Sequence, residues 1–142
     1  MKIFLLSLIL TLFTYSFAHS QSNKAVAKLV NGNVEFIEGQ EKALLNTYNK
    51  TYKKNSKFEK LTIKKSGSTF YISGRLKDGG FSIAQALEKT DGNYYKAAST
   101  NSCTCTTDCT DAGECDAFIN DSGCGCTSCD EKCTKSSTVR PN

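Results

Sequence analysis

The sequence is poor in histidine, the side chain that enzymes most often use as a base. It has a single histidine, His19, and none of its eight cysteines lies before Cys103. A serine or cysteine nucleophile usually needs an adjacent histidine or a similar base to activate it, so no catalytic site is expected. Glu38 and Glu41 are explained by the start of a predicted helix, where the helix dipole favours negative charge. The chain is therefore predicted to be non-enzymatic and to need no cofactor.

The last third of the chain also lacks apolar residues. Between Cys103 and Cys133 only Phe118 and Ile119 are large and apolar, which is too little for a hydrophobic core of its own. Disulfide bonds or a bound metal must therefore order this segment. The cysteines form two similar groups of four: Cys103, Cys105, Cys109 and Cys115, then Cys124, Cys126, Cys129 and Cys133.

The N-terminus has the layout of a secretory signal peptide. A short positive start precedes an apolar run from Ile3 to Phe17, and small residues follow at Ala18 and Ser20. The run is short for a bilayer span, which needs about 20 residues. Residues 1–20 are therefore predicted to be cleaved, after Ala18 or after Ser20. The mature protein is expected to be secreted or periplasmic and not membrane-spanning.

Export favours disulfide bonds for all eight cysteines, because disulfides persist outside the cytosol and an even count allows complete pairing. The pairing itself does not follow from the sequence. The alternative is extracellular metal binding, of the zinc type, by the same eight residues. The repeated C-x-C among Ser, Thr, Lys and Asp resembles metallothioneins over these thirty-one residues alone. Only Cys126 and Cys129 have the C-x2-C spacing of common zinc sites.

Charge divides the mature chain into two parts. Residues 21–100 contain fourteen Lys and Arg against seven Asp and Glu, whereas residues 101–142 contain three against seven. This change places a boundary near Ser99–Ser102. The predicted organisation is a signal peptide (1–20), a small α+β domain (21–100), a cysteine-rich segment with little regular structure (101–135) and a disordered tail (136–142).

The basic part is predicted to fold as one helix packed on a small antiparallel meander sheet. Asn31-Gly32 indicates a hairpin turn, and apolar residues at helical spacing predict a helix from Glu38 to about Lys53. Four short segments of alternating apolar residues follow, separated by turns that contain glycine. This α+β order is similar to that of cystatin-like folds, without an inhibitory motif. The alternative is a small all-β barrel with the helix as a lid.

Seven lysines form a dense basic stretch around Tyr52 and Phe58, which suggests a surface for a polyanion. A solvated helix end and strand face would explain the same charges, and nucleic acid is not an expected partner of an exported protein. N-glycosylation sequons occur at Asn49 and Asn120. The lysines are Lys50, Lys53, Lys54, Lys57, Lys60, Lys64 and Lys65.

These observations predict an exported, non-catalytic small binding or interaction protein with a disulfide-stabilised C-terminal module. The sequence does not specify its partner. Another extracellular protein and an anionic surface are the two candidates.

Overall fold

The computed structural model describes residues 24–107, 115–127 and 133–139. The predicted signal peptide lies outside these ranges, as do Cys109 and Cys129. The elements, in chain order, are β1 (Ala27–Val30), β2 (Asn33–Phe36), α1 (Gln40–Thr51), β3 (Phe58–Ser66), β4 (Thr69–Leu76), β5 (Phe81–Lys89), β6 (Tyr94–Thr107), β7 (Ala117–Asn120), β8 (Gly123–Cys126) and β9 (Cys133–Val139).

Seven strands form one antiparallel sheet in the order β2-β1-β6-β5-β4-β3, with β9 also paired to β6. The sheet curls until β2 and β3 face each other across a groove lined by Val34 and Phe36 on one side and Leu61 and Ile63 on the other. These two strands are not hydrogen-bonded, so the barrel is nearly closed. The predicted α+β layout is therefore wrong, and the all-β barrel alternative is nearer to the structure.

The error has a physical cause. The hairpin β1–β2 is not separate from the meander, because Ala27 and Lys28 pair with Tyr95 and Tyr94 of β6. A sheet lengthened in this way accumulates twist and curls around the helix instead of lying flat beneath it. No helix of the described residues is long and apolar enough to cross a membrane.

The concave face of the curled sheet holds the main core. Leu61, Ile72 and Ile83 are at most 2% exposed there, and Tyr48 of α1 packs against them. Gly74 lies in the same core, where an added Cβ would come within 2.7 Å of Leu61 Cδ2. The absence of a side chain at this position lets the side chains of Leu61, Phe58 and Ile83 pack over β4.

Strand β6 runs through the predicted domain boundary at Ser99–Ser102. Ala97 of β6 pairs with Leu87 of β5, and the next paired residue of β6, Ser102, lies opposite Gln85. Residues 98–101 therefore bulge out of the ladder with β5. One edge of β6 pairs first with β1 and then, from Asn101, with β9. The basic and cysteine-rich parts therefore share one sheet.

The cysteine-rich segment also has regular structure and a core, contrary to prediction. Strands β7 and β8 form a hairpin that packs on the convex face of the main sheet. Ile119 is fully buried there with Tyr71, Ala84 and Ala86. The segment thus completes its core with side chains from the first part of the chain. Strand β9 also extends to Val139, into the stretch predicted to be a disordered tail.

Candidate functional site

Two disulfide bonds tie the hairpin to the sheet. Cys103 is bonded to Cys124 and Cys105 to Cys126, with Cα–Cα distances of 5.5 and 5.9 Å. The first cysteine of the C-x-C in β6 is thus bonded to the first cysteine of the C-x-C in β8, and the second to the second. Disulfide bonding is confirmed for these four cysteines, and Cys115 is also disulfide-bonded. The side chain of Cys133 lies outside the described residues.

Three cysteine sulfurs converge beneath the hairpin. The Sγ atoms of Cys105, Cys115 and Cys126 all lie within 4.8 Å of one another, a spacing that could suit a metal ion. All three are disulfide-bonded, whereas metal binding by cysteine requires thiolates. A metal could therefore bind here only after reduction.

Polar contacts hold the start of the hairpin. Ser82 Oγ donates a hydrogen bond to the Cys115 carbonyl at 2.7 Å and accepts one from the Ala117 amide at 2.8 Å. Arg75 Nε donates to Asp116 Oδ1 at 2.8 Å, and Arg75 Nη2, which is buried and has no well-aligned hydrogen bond, lies 2.7 Å from the same oxygen. Basic residues of β3 and β4, Lys64 and Arg75, therefore meet Asp116 of the cysteine-rich segment at this point.

Asp121, in the β7–β8 turn, binds the β3–β4 turn. Its carboxylate accepts hydrogen bonds from Ser68 Oγ at 2.7 Å, from the Ser68 amide at 3.1 Å and from Thr69 Oγ1 at 3.0 Å. These bonds lower the pKa of Asp121, the Ser68 hydroxyl contributing most. Gly67 approaches the same carboxylate so closely that a Cβ there would collide with it.

The seven lysines do not form one surface. Lys54 lies over the Phe81 ring, 4.6 Å from its centroid, and Lys65 over Phe70 at 5.2 Å. Lys64 lies on the opposite face of β3 from Lys65, because side chains alternate along a strand. The remaining four are exposed: Lys50, Lys53, Lys57 and Lys60.

Helix α1 is tied to one side of the barrel. Glu41 Oε1 accepts a hydrogen bond from the Leu61 amide at 3.1 Å. Asn49 binds both backbone groups of Phe58, with Oδ1 accepting from the amide at 2.9 Å and Nδ2 donating to the carbonyl at 3.0 Å. A glycan on Asn49 Nδ2 would disrupt this contact. The helix therefore packs against β3 and leaves the concave face of β5 and β6 partly uncovered.

A cleft of about 340 Å³ lies in that uncovered region, and we call it the α1 cleft. Its volume is within the usual range for small-molecule sites, roughly 300–1,000 Å³. Helix α1 forms one wall, and β5 with the bulge of β6 forms the other. The lining residues are Lys24, Val26, Leu44, Thr47, Tyr48, Thr51, Tyr52, Ile83, Ala84, Gln85, Ala97, Ala98, Ser99 and Ser102.

Tyr48 and Gln85 form the polar floor of the α1 cleft. Tyr48 Oη donates to Gln85 Oε1, and Gln85 Nε2 donates to the Ala98 carbonyl at 2.7 Å. Burial, with a smaller contribution from Tyr52, raises the pKa of Tyr48, so the phenol stays protonated at neutral pH. Neither residue was singled out from the sequence. The available signal was a glutamine at an inward position between Ile83 and Leu87.

No family model, curated protein or solved structure matches this chain. The geometry of the described residues therefore carries the functional argument.

Proposed function

We propose that this protein is an exported, non-catalytic binding protein that holds a small amphipathic ligand in the α1 cleft. One observation carries the proposal: a cleft of about 340 Å³ combines apolar walls with a small number of converging polar groups. Small-molecule sites typically have this composition, because apolar contact supplies affinity and a few hydrogen bonds fix orientation.

The lining residues indicate the chemistry of the ligand. Val26, Leu44 and Ile83 would contact an apolar body, while the floor offers the Tyr48 phenol oxygen and the Gln85 amide. Lys24 supplies a positive charge at the same cleft. A molecule with an apolar body and an anionic or hydrogen-bond-accepting group fits this arrangement, because Lys24 and the second amide hydrogen of Gln85 remain as donors. The Tyr48 proton is already bonded to Gln85, so its phenol oxygen can only accept.

The disulfide-bonded hairpin would support binding by fixing one wall of the cleft. Ser102 lines the cleft, and the next residue, Cys103, is bonded to Cys124. Cys103 is fully buried on the opposite face of β6, so the hairpin holds this strand from behind. Rigid walls favour binding because less freedom is lost when the ligand enters.

Titration with 1-anilinonaphthalene-8-sulfonate, an anionic apolar fluorophore, tests the cleft. Ala97→Leu fills space in the cleft, whereas Ala43→Leu makes the same change on the exposed side of α1. We expect at least about tenfold weaker binding to the first variant and unchanged binding to the second, since a group that occupies the site excludes the probe. Circular dichroism verifies that both variants are folded. Equal binding by the two variants would contradict the proposal.

Export is part of the proposal and has its own test. The disulfides support it, since such bonds are typical of oxidising compartments. N-terminal sequencing of protein recovered after expression of the full chain should begin at His19 or Gln21. An N-terminus at Met1 in the recovered protein would contradict it.

A second candidate function is metal binding by reduced cysteines, because three sulfurs already lie within 4.8 Å of one another. Mass spectrometry of the non-reduced protein discriminates between the two candidates. Complete pairing of the eight cysteines predicts a mass lower by eight hydrogens than that of the reduced form. Free thiols with bound zinc in the isolated protein would favour the metal site instead.

A further inference from the structure

The convex face of the sheet carries a basic groove that is separate from the α1 cleft. Strand β3 places Lys60 and Lys64 on this face, at every second residue with Thr62 between them. Their neighbours Leu61 and Ile63 point to the concave core. An irregularity between Phe58 and Leu61 turns both residues 59 and 60 outward.

Strand β4 and the residue after its end add a second basic row. Arg75 and Lys77 follow Ser73 at the same two-residue spacing, and Ser73 pairs directly with Thr62 of β3. Each row thus contains one hydroxyl-bearing residue beside its two cations, and the two rows line a groove of about 410 Å³. We call these rows and the space between them the convex groove.

The convex groove has an excess of positive charge. Its four cations face two carboxylates, Glu59 and Asp116. Asp116 is engaged by Arg75, 2.7 Å away, and lies 3.6 Å from Lys64. The Lys77–Glu59 pair is 3.0 Å long, but its side chains are 72% and 65% exposed. An exposed pair of this kind contributes little stability, so an incoming anion can replace it.

The spacing of the charges favours an extended ligand over a single anionic group. Lys60 and Lys64 are four residues apart on one strand, about 13 Å along the backbone, whereas Arg75 and Lys77 are about 7 Å apart. One phosphate or sulfate cannot contact both ends of such a row. A polymer with repeated anionic groups can.

The surroundings favour a soluble polymer over a membrane. Interfacial membrane binding combines basic residues with apolar side chains that enter the bilayer. Among the described residues Tyr94 is the one large hydrophobic side chain that is strongly exposed, and it lies at the start of β6 rather than in the groove. We propose that the convex groove binds a sulfated polysaccharide chain, with Lys60, Lys64 and Lys77 as its principal contacts.

Only two of these residues belong to the lysine stretch identified from the sequence. Lys60 and Lys64 reach the groove, whereas Lys65 lies over Phe70 and Lys54 over Phe81. Arg75 and Lys77 come from a separate stretch, in which basic residues at every second position were the available signal.

Binding to heparin as a function of salt tests the proposal. Lys60→Gln/Lys64→Gln/Lys77→Gln removes three charges from the groove, and the control triple Lys28→Gln/Lys42→Gln/Lys89→Gln removes three exposed charges elsewhere. For the groove triple we expect binding at least about tenfold weaker and a shallower salt dependence, because fewer counterions are released when fewer cations contact the polyanion. The control triple should stay within about twofold of the wild type.

The remaining outcomes decide against the proposal. Equal losses in the two triples would show that net charge alone binds heparin, and no loss in either would exclude the groove. Vesicles with anionic headgroups distinguish the other source of anions: binding to them that equals heparin binding and is lost in the groove triple would assign the site to a membrane.

A wild-type measurement makes the test independent of variant folding. Addition of a heparin hexasaccharide should shift the amide resonances of Thr62 and Ser73 more than those of residues in the α1 cleft. Larger shifts elsewhere would contradict the proposal. Binding of anilinonaphthalenesulfonate in the cleft is read separately, so either site can fail without the other.

Discussion

Tyr48 donates a hydrogen bond to Gln85 Oε1, and this contact joins α1 to a central strand of the sheet. Gln85 also contacts a third element, because its amide group donates a hydrogen bond to the Ala98 carbonyl in the bulge of β6. The bulge separates Ala98 from the ladder with β5. Helix, strand and bulge are therefore positioned together around the α1 cleft.

Tyr48→Phe should remove this hydrogen bond and leave Gln85 Oε1 without its donor. We expect a loss of about 1–2 kcal/mol in the free energy of unfolding, because a part-buried acceptor stays unsatisfied. Urea unfolding monitored by circular dichroism measures the change. Tyr94→Phe is the matched control, since Tyr94 is 49% exposed, and it should change stability by less than about 0.5 kcal/mol.

The disulfide pairing can be tested with two double variants. Cys103→Ser/Cys124→Ser removes one bond and leaves Cys105–Cys126 intact. Each bond links two cysteines that are 21 residues apart in the sequence. Its loss should lower the free energy of unfolding by about 2–4 kcal/mol. Urea unfolding under non-reducing conditions measures this cost.

Cys103→Ser/Cys126→Ser is the crossed control, because it removes one partner from each bond and leaves Cys105 and Cys124 without their native partners. We expect the thiols of Cys105 and Cys124 to react with a thiol reagent. The crossed variant should also be less stable than Cys103→Ser/Cys124→Ser. A crossed variant as stable as the matched one, with no reactive thiol, would contradict the pairing.

Ile119 tests whether the hairpin has a core or is held only by its disulfides. Its side chain is fully buried against Ala84 and Tyr71. Ile119→Ala should lower the free energy of unfolding by about 2–5 kcal/mol and Ile119→Val by about 0.5–1.5 kcal/mol, in proportion to the apolar volume removed. Thermal unfolding of the oxidised variants gives both values. A change near zero for Ile119→Ala would mean that the cysteines alone order the segment.

Local patterns in the sequence identified most elements but not their assembly. The turn at Asn31-Gly32 has the positive φ values of 50° and 84° that its residues indicate, and α1 lies within the predicted helix. The alternating segments after Asn55 form strands β3 to β6. Pairing of β1 with β6 joins residues far apart in the chain, and no local pattern records such a contact.

The same limit explains the error in the cysteine-rich segment. Phe118 and Ile119 are too few for a core when the segment is considered alone. Packing on Ala84 and Ala86 of β5 completes that core, and small residues on the outer face of a strand give no sign of which element will cover them. The change of charge near Ser102 is real, but charge composition does not interrupt a β-strand.

Asp121 makes stability depend on pH at the acid end. Its hydrogen bonds, first those from Ser68 and then that from Thr69, lower its pKa in the folded state. A carboxylate whose folded pKa is depressed contributes stability above its unfolded pKa, about 3.9, and that contribution is lost as pH falls through the folded pKa. We therefore expect Asp121→Asn to weaken the fall in stability below about pH 4.

Unfolding midpoints in urea between pH 6 and pH 2.5 measure this effect. Asp91→Asn is a suitable control, because Asp91 is exposed in the β5–β6 turn and makes no hydrogen bond through its side chain among the described residues. Direct titration of the Asp121 carboxyl carbon by NMR gives the pKa itself. A value above the ordinary range for aspartate would contradict the hydrogen-bonded arrangement.

Gly74 and Gly80 differ in how much space an added side chain would find. A Cβ at Gly74 would lie 2.7 Å from Leu61 Cδ2 and 3.2 Å from Phe58 Cδ1, both in the core. At Gly80 the nearest atom would be the Thr107 carbonyl oxygen at 3.6 Å, an ordinary contact. Neither glycine has a positive φ, so the comparison isolates packing from backbone strain.

Gly74→Ala should therefore lower the free energy of unfolding by about 1–3 kcal/mol, the usual cost of adding a methyl group to a packed core. Gly80→Ala should be neutral or stabilising by up to about 1 kcal/mol, because alanine restricts the unfolded chain more than glycine does. Urea unfolding of the two variants in parallel measures the difference. Equal effects would mean that the side chains of Leu61 and Phe58 do not pack over Gly74 as closely as the structure shows.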